Sequence, residues 1–119
     1  MRPQLKKNDH HIMQIQINTD HNIEGSEALS VHIREVVEHA LNHHSEHITR
    51  VEVHLTDENG PKSDPQDIRC AMEARLEHHQ PLTVTDESTS VHQAIEGAAE
   101  KLKHLVEHTL GRMHDKNKH

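Results

Sequence analysis

Ile68-Arg69-Cys70-Ala71-Met72-Glu73-Ala74-Arg75-Leu76 is the stretch on which the fold turns. Ile68, Cys70, Met72, Ala74 and Leu76 fall on one side of an extended chain. Arg69, Ala71, Glu73 and Arg75 fall on the other, which is the period of two expected of a half-buried strand. Upstream, Asp57 to Pro65 is loop composition throughout. Before it, Ile48 to Thr56 alternates again, with Val51, Val53 and Leu55 opposed to Arg50, Glu52 and His54. Downstream, His78 to Pro81 makes a turn and Leu82 to Thr85 a short strand. Met13, Ile15 and Ile17, alternating with Gln14, Gln16 and Asn18, give one more strand near the start.

The remaining apolar residues recur at helical spacing. Gly25-Ser26 breaks the first strand, and Ser26 can cap a helix over about residues 27–44. Its stripe is Leu29, Ile33, Val36, Val37, Ala40 and Leu41. Ser90 and Gln93 have capping-box spacing and open a second helix over about residues 91–112. Val91, Ile95, Ala98, Leu102, Leu105, Val106, Thr109 and Met113 make its stripe, and Gly111 and a polar tail end it. The expected fold class is α+β: a two-layer β-α-β-β-β-α domain with an antiparallel four-stranded sheet and two helices on one face. It occupies residues 13–113, between a disordered tail over 1–12 and a polar tail over 114–119.

The chain has 119 residues, 31% of them apolar, and no Phe, Tyr or Trp. One small domain with an aliphatic core fits that composition. The formal charge is −7 with sixteen His neutral, and protonating every His would carry it to +9. Charge therefore responds steeply to mild acid. No apolar run approaches the roughly 18 residues of a membrane span, nor the core of a signal peptide. A single Cys rules out an internal disulfide framework and suits a reducing cytoplasm. Membrane proteins, disulfide scaffolds and large multi-domain enzymes are excluded.

Histidine makes metal the first chemistry to weigh. His43 to His47 and His104 to His108 both fit H-x-x-E-H, in which His at i and i+4 share a helix face. In so His-rich a chain about 0.2 matches arise by chance, and a catalytic ion needs a third ligand and a cleft. His43, His47, His104 and His108 are therefore candidates for adventitious metal binding only. Cys70 lies on the inward face of its strand, where a free thiol is a small buried apolar group. Gly25, Gly60, Gly97 and Gly111 form no phosphate-loop or dinucleotide fingerprint. The similarity of Val37-Glu38-His39-Ala40-Leu41 to Val106-Glu107-His108-Thr109-Leu110 follows from shared amphipathic composition. The residues indicate no enzyme and no cofactor.

Charge around the helices is more informative. In the second helix, Gly97, Lys101, His104, His108 and Arg112 form a band beside the apolar stripe without acidic residues. Glu96, Glu100, Lys103 and Glu107 take the far side. In the first, His32, His39 and His43 flank the stripe, and Glu35, Glu38 and Glu46 are expected to point away. Such bands suit phosphate contacts, and without aromatics they address backbone and shape rather than stacked bases.

Three stretches carry a family likeness: Met13-Gln14-Ile15-Gln16-Ile17-Asn18, Ile48-Thr49-Arg50-Val51-Glu52-Val53-His54-Leu55, and Ser90-Val91-His92-Gln93-Ala94-Ile95 leading to Lys101-Leu102. With the element order, they make the chain resemble a short, His-rich form of the ribosome hibernation-promoting factor / ribosome-associated inhibitor family. The resemblance implies a bacterial cytoplasmic protein that docks on the small ribosomal subunit and its rRNA, where messenger and transfer RNAs bind. It implies no membrane and no DNA partner, and leaves a homodimer open. The rRNA-facing residues it implies are Arg34, His39, His43, Lys101, His104, His108 and Arg112. Lys101 matches a family Lys, whereas His104 and His108 stand where Arg or Lys is usual. The alternative is a stress-related, His-rich module on the same fold that binds protein or metal and no longer binds ribosomes.

Overall fold

The computed structural model describes residues 13–20, 23, 25–57 and 68–117. The elements run β1 (Gln14–Thr19), α1 (Glu27–Leu41), a 3-10 helix (Asn42–His47), β2 (Ile48–Asp57), β3 (Ile68–Leu76), β4 (Leu82–Ser88) and α2 (Val91–Asn117). The four strands form one sheet in the order β1-β2-β3-β4. The tail expected over residues 1–12 and most of the loop after Asp57 lie outside the described residues.

The sheet is mixed, which corrects the antiparallel expectation. β1 pairs with β2 in parallel, setting Ile15 opposite Val51 and Ile17 opposite Val53. A helical crossover carries the chain back to the end of the sheet where β1 began, so β2 must run the same way. The other two pairings are antiparallel, with Val53 opposite Met72 and Met72 opposite Val84. Alternation then sorts the faces. Val51, Val53, Leu55, Cys70, Met72 and Ala74 are buried, whereas Gln14, Gln16, His54, Thr83 and Thr85 on the other face are exposed. Ile33, Val37 and Leu41 of α1 join Ile95, Ala98, Leu102 and Val106 of α2 in that one core, so both helices cover the same face.

Local signals explain where the helices begin. Ser26 Oγ accepts a hydrogen bond from Leu29 N (3.1 Å), and Ser90 Oγ one from Gln93 N (3.1 Å). Each satisfies a free N–H of a first turn. The reciprocal half of the capping box is replaced: Gln93 Oε1 accepts from Ser88 Oγ (2.9 Å).

The ends depart from expectation. α1 stops at Leu41, because the polar run Asn42–His47 buries nothing and tightens into a 3-10 helix. α2 passes through Gly111 to Asn117, into the segment expected to be a polar tail. A glycine inside a helix costs about 1 kcal/mol, which an established helix absorbs. β4 also runs on to Ser88, carrying Asp86 onto the inward side.

Candidate functional site

Both helices descend from the same end of the sheet. His32 of α1 meets His92 near the start of α2, and His44 Nε2 reaches Glu107 Oε2 (3.6 Å) far along it. The helices are therefore parallel. Ala40 and Ala99 line the seam and are too small to fill it, which leaves a groove of ≈ 480 Å³ between the helices. His32, Glu35 and His39 line it from one side and Glu96, Glu100 and Lys103 from the other. An adjoining hollow adds Glu38 and His43.

This placement revises the sorting of charge. Glu35 stands beside His32 and His39 rather than pointing away, and Glu96, Glu100 and Lys103 face α1. A helical wheel separates a stripe from its flanks but does not say which flank meets a neighbour. With His neutral, four carboxylates and one ammonium leave the seam negative.

The seven residues singled out from the sequence are all exposed. They fall in three places. Lys101, His104, His108 and Arg112, spaced by three or four residues, share the flank of α2 turned away from α1. His39 and His43 line the seam with Glu35 and Lys103. Arg34, one residue after the buried Ile33, occupies the opposite flank of α1 from His32.

Two members of the α2 flank already have partners. Lys101 Nζ donates to Thr85 O (2.8 Å) and pairs with Asp86 Oδ1 (2.9 Å). His104 Nε2 lies 3.4 Å from Glu100 Oε2. Asp86 is the residue the sequence reading missed, although its signal was present: it stands where the alternation of β4 calls for an apolar side chain. Gly97 lets the helix pass over it. A Cβ at Gly97 would fall onto the Asp86 carboxylate, 2.7 Å from its Cγ.

Two other candidates settle into structure. Burial, then the nearby Asp86 charge, pushes the Cys70 thiol up to about 12, so it stays protonated and inert as a nucleophile. His43 and His47 lie in the 3-10 helix, where about 120° per residue turns i and i+4 apart. Among the described residues, no three His, Cys, Asp or Glu side chains stand together as an ion would need. No described helix is long and apolar enough to cross a membrane.

The family described as sigma 54 modulation protein / S30EA ribosomal protein matches residues 15–114, nearly the whole domain. The N-terminal domain of Protein Y from Thermus thermophilus has a similar fold. Its TM-score is 0.66 at 16% identity, over 82% of this chain and 99% of that one. A ribosomal subunit interface protein from Coxiella burnetii has a TM-score of 0.62 at 16% identity, over 83% of this chain and 99% of that one. No curated protein sequence matches the chain. The chain therefore belongs to the sigma 54 modulation protein / S30EA ribosomal protein family, the ribosome hibernation family that its strands and second helix resemble.

Proposed function

We propose that this protein is a non-enzymatic, cytoplasmic hibernation or translation-inhibition factor that docks on the small ribosomal subunit through rRNA backbone contacts. The family match over residues 15–114 is the observation that carries this reading. The α2 flank of Lys101, His104, His108 and Arg112 supplies the main contact, because its cations are exposed on one rigid face. Arg34, His39 and His43 contribute from α1. His39 and His43 share the seam with carboxylates, so their part is the smaller.

Binding through this set depends on protonation. Lys101, Arg112 and Arg34 are permanent cations, whereas an imidazole attracts phosphate as a cation only once it takes up a proton, which mild acid favours. A phosphate partner favours the protonated form of a His, so by linkage binding strengthens as pH falls. Each added phosphate contact steepens the log–log salt slope by about 0.7–0.9.

Co-sedimentation with purified small subunits at about pH 6 and pH 7.5 tests the reading. Tighter binding and a steeper salt slope are expected at the lower pH. His104→Gln with His108→Gln should flatten the pH response. Protein left at the top of the gradient at both pH values would overturn the assignment.

A further inference from the structure

The upper end of the helix seam gathers metal-binding side chains from two elements. The rings of His32 and His92 meet with centroids 4.4 Å apart and planes at 67°. His32 Nε2 is buried and has no hydrogen-bond partner. A polar nitrogen shut away from water and left unpaired is costly, and such an atom is where a ligand should be sought. Glu35, three residues after His32, shares its side of α1 and lines the same groove. Glu96, four residues after His92, lines it from α2.

We infer that His32 and His92, with Glu35 and Glu96, form a site for one divalent transition-metal ion that staples the starts of the two helices. The donor set selects the ion. Two imidazoles with two carboxylates suit zinc, cobalt or nickel, whereas magnesium and calcium prefer all-oxygen shells.

Side chains must move to close the site, since no three donors yet converge among the described residues. For the two rings the separation changes little, although each must also turn a nitrogen toward the ion. Bonds of about 2.0–2.1 Å to a tetrahedral ion place two imidazole centroids about 5 Å apart, so the rings part by less than about 1 Å. Glu35 and Glu96, both exposed and lining the groove, must change rotamer to complete the site. Lys103 also lines the groove, about two turns beyond Glu96 along α2. The H-x-x-E-H pairs fare worse. His43 and His47 diverge on the 3-10 helix, and His104 turns to Glu100 on an open surface. The inference is independent of ribosome docking, and either can fail alone.

Titration of the full chain with Zn²⁺ and with Co²⁺ tests it. One equivalent should bind ahead of any others, Co²⁺ should give the intense visible bands of a tetrahedral site, and the metal should raise the unfolding temperature. His32→Gln with His92→Gln should weaken that first equivalent at least about 10- to 100-fold, the scale on which even outer partners of a metal site act. It should also abolish the thermal shift, with the far-ultraviolet circular dichroism unchanged. Glu35→Gln with Glu96→Gln, which leaves the ring contact intact, should weaken binding as well. His43→Gln with His47→Gln, and His104→Gln with His108→Gln, should keep the first equivalent. Equal weak binding by every variant would show adventitious surface imidazoles only, and would overturn the site. So would full first-equivalent affinity in His32→Gln with His92→Gln.

Discussion

Gly97→Ala and Gly111→Ala are the same chemical change in one helix, yet the structure requires opposite outcomes. At Gly111 an added methyl meets nothing within 4 Å. Gly111→Ala should therefore recover helix propensity and stabilise the protein by up to about 1 kcal/mol. At Gly97 the methyl falls on the Asp86 carboxylate, with Cγ 2.7 Å from the new Cβ. Asp86 cannot simply swing away, because it pairs with Lys101 at 2.9 Å and its side chain is only 22% exposed. Displacing it costs about 1–3 kcal/mol of overpacking. The half-exposed ion pair adds about 0.5 kcal/mol at most. Set against the propensity gain of about 1 kcal/mol, Gly97→Ala should destabilise by up to about 2.5 kcal/mol. In a domain of this size that lowers the unfolding midpoint by up to about 10 °C, read by circular dichroism at 222 nm. Asp86→Ala removes the obstacle, so Gly97→Ala made in that background should be neutral or stabilising. The coupling between the two sites should exceed about 1 kcal/mol. A Gly97→Ala protein that melts higher than the parent, as Gly111→Ala should, would refute the reasoning.

Two further outcomes follow from backbone strain and burial. His78 sits at φ 61°, a left-handed conformation costly to a residue with a Cβ, so His78→Gly should raise the urea midpoint by about 0.5–1 kcal/mol of stability. Cys70, ordinarily near 9.0, is pushed up to about 12 by burial, so the folded protein holds a proton that the unfolded chain releases. Its contribution is complete below about pH 9 and is lost as pH rises toward 12, by up to about 1.4 kcal/mol per pH unit. Denaturation of wild type and Cys70→Ala between pH 8 and 10 should show a steeper alkaline decline in the wild type.

The fold was legible where burial has a simple period. The alternation at Ile68–Leu76 and the stripes around Ile33 and Leu102 specify which side of each element is covered, because only one face of each meets the core. What alternation leaves open is the partner. β1 reads the same whether β2 runs with it or against it, and only the crossover through α1 decides. The same gap explains Glu35 and Lys103. Both were expected on the side turned away, but that side becomes the groove once α1 and α2 lie side by side. Asp86 and Gly97 were the opposite case: two local irregularities, unrelated in sequence, that account for each other in space, with Asp86 pairing Lys101. Of the seven positively charged or titratable candidates, four share one flank and three do not, since exposure is legible in a pattern and proximity is not.

The parallel partnership of β1 with β2 also sets the order in which the molecule opens. β2, β3 and β4 follow one another along the chain and pair antiparallel, and α2 packs directly after β4. β1 lies at an edge, and its pairing of Ile15 with Val51 closes a long excursion through α1. Such a non-local pair recovers its loop-closure entropy late and loses it early. Native-state hydrogen exchange should therefore show the amides of β1 opening at lower free energy than those of β2 and β3. The last three strands with α2 form the cooperative unit, and the first strand is the hinge side from which the domain frays. Equal protection across β1 and β3 would show instead that the sheet opens as one.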